Sequence, residues 1–491
     1  MTDGGEERII AMRNRTFRRI LAGLTALMIG MLSSCMGTGS DVHSDTGSDT
    51  DADTAAQTLS DTVVLSADDT ERTFYLIYDA VDLPWAVARR IICFRDMLQE
   101  QTGVRLELRD SYEASMPYEI IIDAAYRVEY RELLETLDEN EYAMRAICTE
   151  DSCKVVIAYR GGFAREAALS RLLSYAEGDR LVIPGDLSVR GTCTLEDITI
   201  TPDVEVLRDP CVLRVGDAYY MYGTWWQGYR CTSGDLRGPW EPLGTVAELP
   251  QTAEADYWAP EVHAYGDAYY MFTTYRSFET GRRGCTVMRA ESPEGPFVEI
   301  SDGHLTPSDW DAIDGTLYVD EDGQPWMVFV HEWVSTDDRV GRMAAARLSA
   351  DLTHFVSEPI ELFRADDPQW AEQDVTDGCY LYRCADGTLL MIWSNFDEAG
   401  YCIGVAKSDN GRIDGNWKQE PYLLYSAELS DRWDGGHGMI FADHNGQLYL
   451  SMHSPNSADE TRAERPMLLP IREENGRLVW DLSKITEPSE K

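Results

Sequence analysis

Basic residues are scarce in this chain of 491 residues, with 43 Lys and Arg against 86 Asp and Glu and a formal net charge of −43. So acidic a surface argues against nucleic-acid phosphates and anionic membranes as partners and suits a neutral ligand. Metal-binding motifs are missing too. No Cys-x-x-Cys pair and no His-Glu-x-x-His occurs, so no zinc site is indicated. The apolar run LAGLTALMIGML near the N-terminus is too short and wrongly flanked for a membrane span. From about residue 198 onward the helical period is absent as well, which excludes a helical fold for the larger part of the chain.

The N-terminal run follows Arg13, Arg15, Arg18 and Arg19 and closes on Leu32-Ser33-Ser34-Cys35. This order is that of an export signal, and the closing tetrad resembles the bacterial lipobox, with Cys35 as the lipidated residue. Residues 1–35 are therefore expected to be a lipoprotein signal peptide, and the expected site of action is the cell envelope outside the cytoplasm. Membrane contact is expected only through that anchor. Residues 36–72, rich in Ser, Thr, Asp and Gly, have too little apolar content for a core and predict a disordered acidic tether.

Residues 73–197 alternate strand and helix signals and predict a small α/β domain. Its order of elements is similar to that of the accessory domain preceding the catalytic domain in some glycoside hydrolases. No catalytic constellation occurs in it, so a packing or positioning role is expected. Ten cysteines follow Cys35. Cys148 and Cys153 bracket the turn TEDS, where a hairpin disulfide is compatible with the spacing and buried free thiols are the default expectation.

Residues 198–485 repeat one plan five times. DPCVLRVGDAYYMYG, APEVHAYGDAYYMFT, DGTLYVDEDGQPWMVFV, DGCYLYRCADGTLLMIWS and HGMIFADHNGQLYLSMH are each a hairpin of alternating apolar residues around a turn glycine: Gly216, Gly266, Gly323, Gly387 and Gly446. Their first residues are Asp209, Ala259, Asp314, Asp377 and His437, at intervals of 50, 55, 63 and 60 residues. Four-stranded repeats of this length predict an all-β five-bladed β-propeller, with a β-sandwich as the alternative.

In a propeller the innermost strands surround one axis, so Asp209, Asp314, Asp377 and His437 are expected to converge at one mouth. Where the second repeat has Ala259, Glu261 lies two residues on and faces the same way. Several carboxylates beside a histidine repel one another and are costly to desolvate, which favours a functional reason for the arrangement. Opposed carboxylates in a concave site suit glycosidic cleavage, in which one ionised group takes a proton from water and one protonated group gives a proton to the leaving oxygen.

Arg208-Asp209-Pro210, Trp258-Ala259-Pro260-Glu261-Val262, Asp314-Gly315, Thr376-Asp377-Gly378 and Gly436-His437-Gly438 resemble, in order, the motifs of glycoside hydrolase family 43. The resemblance implies a five-bladed propeller and an inverting enzyme that removes arabinofuranosyl, xylosyl or related sugars from plant polysaccharides or oligosaccharides. It implies Asp209 as general base, Asp314 as the residue that orients the acid and raises its pKa, and Asp377 as general acid. His437 matches a position that in some members faces a central calcium or its water shell. No cofactor is otherwise required. The family usually carries Glu as the acid, and Asp is shorter by about 1.3 Å of reach. Glu332 or Asp374 could serve in its place, and the competing function is a sugar-binding surface lipoprotein impaired in catalysis.

Trp225, Trp226, Trp258, Trp333 and Trp393 fall near strand ends around the expected mouth, and Trp226 and Trp258, with Arg208 and Glu261, are the candidate substrate contacts. His263, His331 and His453 are expected to be buried, hydrogen-bonded residues. The individual sugar, endo or exo action and the oligomeric state are not readable from sequence.

Overall fold

The computed structural model describes residues 62–66, 72–456 and 463–483, all within one compact unit. The export signal and Cys35 lie outside the described residues.

The α/β part is built on a six-stranded sheet. Glu107–Asp110, Tyr75–Tyr78, Tyr118–Ile122 and Cys153–Tyr159 run parallel, and Glu141–Cys148 and Ser188–Thr192 extend the sheet antiparallel. Ile120, Ile121, Val155 and Ile157 are buried without alternation, as a sheet covered on both faces requires. The helix Trp85–Thr102 begins after Pro84 and stops at Gly103, whose left-handed φ of 71° lets its N–H close on the Gln99 carbonyl.

Two expectations are corrected here. Thr62–Ser66, assigned to the tether by its surroundings, is a strand paired antiparallel with Arg180–Pro184. Val63 and Leu65 alternate inward in TVVLS, a local β-branched signal that the composition of residues 36–72 dilutes. Cys148 and Cys153 form a disulfide, because the hairpin register sets them directly opposite one another. The other cysteines described are free and buried.

Beyond Leu195–Ile198 the chain forms five four-stranded antiparallel sheets, each wound in sequence order. Their first strands are Cys211–Val215, Ala253–Tyr265, Ala312–Val319, Asp377–Arg383 and Gly436–Ala442. Each first strand neighbours the first strand of the next sheet, and the fifth returns to the first, so the sheets close a ring. Ile200, bridged to Leu468, ties the entering chain to the fifth sheet. The five turn glycines have φ between 59° and 90°, and this left-handed turn conformation is why glycine recurs there.

The α/β part is welded to the ring. Phe163 stacks on Trp480 with ring centroids 5.0 Å apart, and the helix Trp85–Thr102 lies on the outer strand Trp417–Tyr425 of the fourth sheet. One apolar core runs through both parts. No helix among the described residues is long and apolar enough to cross a membrane.

Candidate active site

All five sheets leave their ladder at the same place. In four of them two residues of the first strand oppose one residue of the second: Ala259 and Pro260 face Thr273, Asp314 and Gly315 face Phe329, Gly378 and Cys379 face Trp393, and His437 and Gly438 face Met452. In the first sheet the Thr224 N–H bond to the Arg208 carbonyl leaves Asp209 and Pro210 opposite Gly223. The first residue of every bulge is left-handed, with φ of 56° at Asp209, 44° at Ala259, 57° at Asp314, 43° at Gly378 and 53° at His437. Outside glycine this conformation costs about 1–2 kcal/mol per residue.

A second set of groups stabilises these bulges. The N–H of Ala259 donates to Thr224 Oγ1 (3.1 Å), that of Asp314 to Thr274 Oγ1 (3.0 Å), that of His437 to Ser394 Oγ (2.9 Å) and that of Asp209 to His453 Nδ1 (3.3 Å). Three acceptors come from the second strand of the preceding sheet, and Thr224 from the residue just beyond it. In the third sheet the matching residue is Val330, which has no acceptor. There Asp314 Oδ2 takes over and receives the Gly378 N–H at 2.8 Å. Asp314 is thus tied to the backbone beside Asp377.

The register corrects the sequence alignment by one residue. Gly378, not Asp377, is the fourth counterpart of Asp209, Asp314 and His437. A side chain at Gly378 would run into His437, 2.8 Å from its Cα, so the close approach and the left-handed φ both require glycine. Asp377 precedes the bulge and pairs with Ser394, the position held elsewhere by Arg208, Trp258, Ile313 and Gly436.

The four ionisable groups nevertheless converge. His437 Nδ1 lies 3.4 Å from Asp209 Oδ1 and 3.7 Å from Asp314 Oδ2. Burial opposes the His437 charge, but Asp209, Asp314 and Asp377 outweigh it and raise its pKa. The two ends of the group are driven apart. At Asp209 burial favours the acid form, yet the groups around it, His437 foremost, prevail and hold the carboxyl below its usual range; Thr224 also donates to its Oδ2 at 2.5 Å. Asp314 is raised by burial. Asp377 keeps a little surface open to solvent, but enclosure by protein and then the Asp314 charge push it up to about 7. At neutral pH Asp209 is a carboxylate, and Asp377 retains a proton in much of the population.

Two neighbours were not read as part of the site: Tyr401 went unnamed, and His453 was expected only as a buried, hydrogen-bonded residue, which it is. Tyr401, on the third strand of the fourth sheet, donates its hydroxyl to Asp377 Oδ2 at 3.2 Å. His453 contacts Asp209, and burial lowers its pKa to about 4, in keeping with a neutral ring that accepts at Nδ1 and faces Asn456 Oδ1 from Nε2. Neither belongs to a first strand, so the hairpin alignment carried no signal for them.

The candidate substrate contacts divide. Arg208 remains half-exposed beside Asp209 (3.6 Å) and pairs with Glu464 at 2.7 Å. Trp226 is 1% exposed and donates Nε1 to Thr273, so it packs the core and offers no face to a sugar. Trp393 is likewise buried. Trp258 has the Arg283 guanidinium 5.2 Å from its ring centroid. Glu261 sits two residues inward of Ala259, paired with His263 Nε2 at 2.6 Å and receiving the Thr316 hydroxyl, outside the contacts of the His437 group. Among the described tryptophans, those open to solvent are Trp225 (60%), Trp333 (40%) and Trp433 (45%). Glu332 is clamped through both oxygens by Arg283 at 2.6 and 3.1 Å, which leaves it poorly placed to deliver a proton. Asp374 gives its backbone carbonyl to the Gly341 N–H.

Among the described residues no group of three or more His, Cys, Asp and Glu is arranged to hold a metal ion. Nδ1 of His437, the residue that the resemblance associates with calcium, is turned to carboxylates.

The model of the family "Glycosyl hydrolases family 43" matches residues 204–474. Among curated relatives, the chain is 25% identical over 255 residues to the probable arabinan endo-1,5-alpha-L-arabinosidase A of Aspergillus flavus, covering 50% of this chain and 74% of that protein. It is 24% identical over 292 residues to the extracellular exo-alpha-(1->5)-L-arabinofuranosidase ArbA of Cellvibrio japonicus, covering 52% and 80%. Among solved structures, the endo-arabinase from Bacteroides thetaiotaomicron aligns with a TM-score of 0.51 and 36% identity, over 57% of this chain and 99% of that one. With more than half of its length matched by the family model, the chain belongs to glycosyl hydrolase family 43.

Proposed function

We propose that this glycoside hydrolase works by inversion, on arabinofuranosyl linkages of a plant-type polysaccharide or its oligosaccharides, from a five-bladed propeller. The observation that carries the reading is the gathering of Asp209, Asp314 and Asp377 about His437, in surroundings that lower the carboxyl at one end and raise the one at the other. Asp209 takes a proton from the water that attacks the anomeric carbon. Asp377 gives its proton to the glycosidic oxygen as the C–O bond breaks. Asp314, through the Gly378 N–H and its own charge, orients Asp377 and favours its acid form. The names of the curated relatives and of the Bacteroides structure support arabinan over xylan as the first substrate to try. The extracellular relative supports action outside the cytoplasm, where lipidation of Cys35 would tether the enzyme. No observation favours the reading in which catalysis is impaired.

The test uses leaving groups. Asp377→Asn should lose at least about a thousandfold in kcat/KM on arabino-oligosaccharides, yet keep most of its activity on a dinitrophenyl arabinofuranoside, whose leaving group needs no proton. Asp209→Asn should lose both activities and still bind arabinan. Equal losses on the two substrates for Asp377→Asn would remove it as the acid.

A further inference from the structure

The connection from the fourth sheet to the fifth, between Tyr425 and Gly436, runs from a contact with the α/β domain to the strand that carries His437. Ser426 caps the short helix Ala427–Ser430 within it, and Asp431 turns the chain in a left-handed conformation. Trp433 follows, and His437 is four residues further on. The α/β domain grips the start of this connection. Arg165 donates to the Leu429 carbonyl at 2.5 Å, and the Ala86 N–H donates to Glu428 Oε2 at 3.4 Å. The first turn of the helix Gly162–Leu173 presses so closely on it that a Cβ at Gly162 would collide with the Leu429 carbonyl.

This grip uses buried charge where apolar packing would suffice. Arg165 is buried and pairs with buried Glu166 at 3.2 Å, and Glu166 also binds Arg90. Such a network contributes little net stability and is better explained by the single geometry it enforces.

The far end of the connection is anchored separately. Asp434 receives the N–H groups of Tyr401 (3.2 Å) and Asn456 (3.1 Å) through its carboxylate, and its carbonyl receives the Ser454 hydroxyl at 2.8 Å. The Gly435 N–H donates to the Tyr401 carbonyl. Trp433 stands between the two anchors, its carbonyl held by the Tyr425 hydroxyl at 2.9 Å and its side chain 45% exposed. An exposed indole on a backbone anchored from both sides, close in sequence to His437, is a suitable platform for an apolar sugar face.

We infer that Trp433 stacks on a sugar unit away from the cleaved bond, and that Arg165 and Gly162 of the α/β domain are positioning residues for it. This rests on the glycosidase reading above. The α/β domain thereby selects for chain length, and because Asp434 isolates His437 from the grip, catalysis at the cleaved bond is affected less.

The test compares kcat/KM on an arabinopentaose with that on an aryl arabinofuranoside, in the full chain. Trp433→Ala should lower the pentaose-to-aryl ratio at least tenfold. Gly162→Ala and Arg165→Lys, which disturb the grip in different ways, should lower the same ratio, and neither should lower it further once Trp433 is alanine. An unchanged ratio in Trp433→Ala would overturn the inference, as would equal losses on both substrates in both grip variants. If the wild-type enzyme cleaves neither substrate, the glycosidase reading fails; pentaose binding by calorimetry then decides, and equal affinity in Trp433→Ala overturns the platform.

Discussion

Asp377 and Asp209 carry the same functional group and are put to opposite uses by their neighbours. Activity requires Asp377 protonated, so kcat/KM should fall as pH rises through about 7. On the acid side Asp209, held below its usual range, should stay competent well under pH 5. Asp314→Asn should move the basic limb to lower pH, because it removes a like charge that favours the acid form of Asp377; burial, the larger cause, remains. Stability has a sign of its own. A carboxyl whose folded pKa is raised contributes stability that is complete below its unfolded pKa and lost as pH rises through the folded value. Asp377→Asn should therefore raise Tm by a few degrees at pH 8, by less at pH 5, and hardly at all near pH 3.5, below the unfolded pKa of an aspartate, as calorimetry at the three pH values would show. Asp209, Asp314 and His437 were legible because each opens a repeat, and Asp377 because it stands one residue before the position that does. The exact partner of Asp377 was not: Gly378, like Asp314 and His437, stands nine residues before its turn glycine, a count that a match on residue type overrides. The burial of Trp226 was equally hidden, since a tryptophan at a strand end looks the same whether it faces solvent or the next sheet.

At the scale of the element, the bulge is the device that aims these side chains. Its left-handed first residue turns the strand so that Asp209, Asp314 and His437 leave the ladder together. The hydroxyls that receive the bulge N–H groups are then part of the site, although they touch no substrate. Thr274→Val should cost about 1 kcal/mol or somewhat more, because it leaves the buried Asp314 N–H without an acceptor, and should displace Asp314. Gly378→Ala should be worse, at about 2 kcal/mol or above, because strain adds to the collision with His437. Denaturant unfolding measures both. The hairpins themselves were legible from alternation and turn glycine; the bulges were not, because they lie near the strand starts, where too few residues precede the extra one to show the shift in alternation.

For the whole molecule, a ring of five sheets explains how residues more than 200 positions apart meet in one group. Sequence repetition conveyed that ring, and alternating strand and helix signals conveyed the α/β part. The weld between them was not legible, because Phe163, Trp480, Arg165 and Leu429 belong to no repeat and no motif. A chain beginning at residue 198 would expose the buried face of Trp480, Leu424 and Tyr425, and should aggregate or bind a hydrophobic dye that the full chain ignores. An unchanged solubility and melting profile would show that the ring is self-sufficient.

The account stands or falls on the stereochemistry of cleavage. Proton NMR of the first sugar released from an α-linked arabino-oligosaccharide, recorded before mutarotation, should show the β-anomer. Release of the α-anomer would mean retention, with a carboxylate attacking carbon directly, and would contradict Asp209 as the base that activates water.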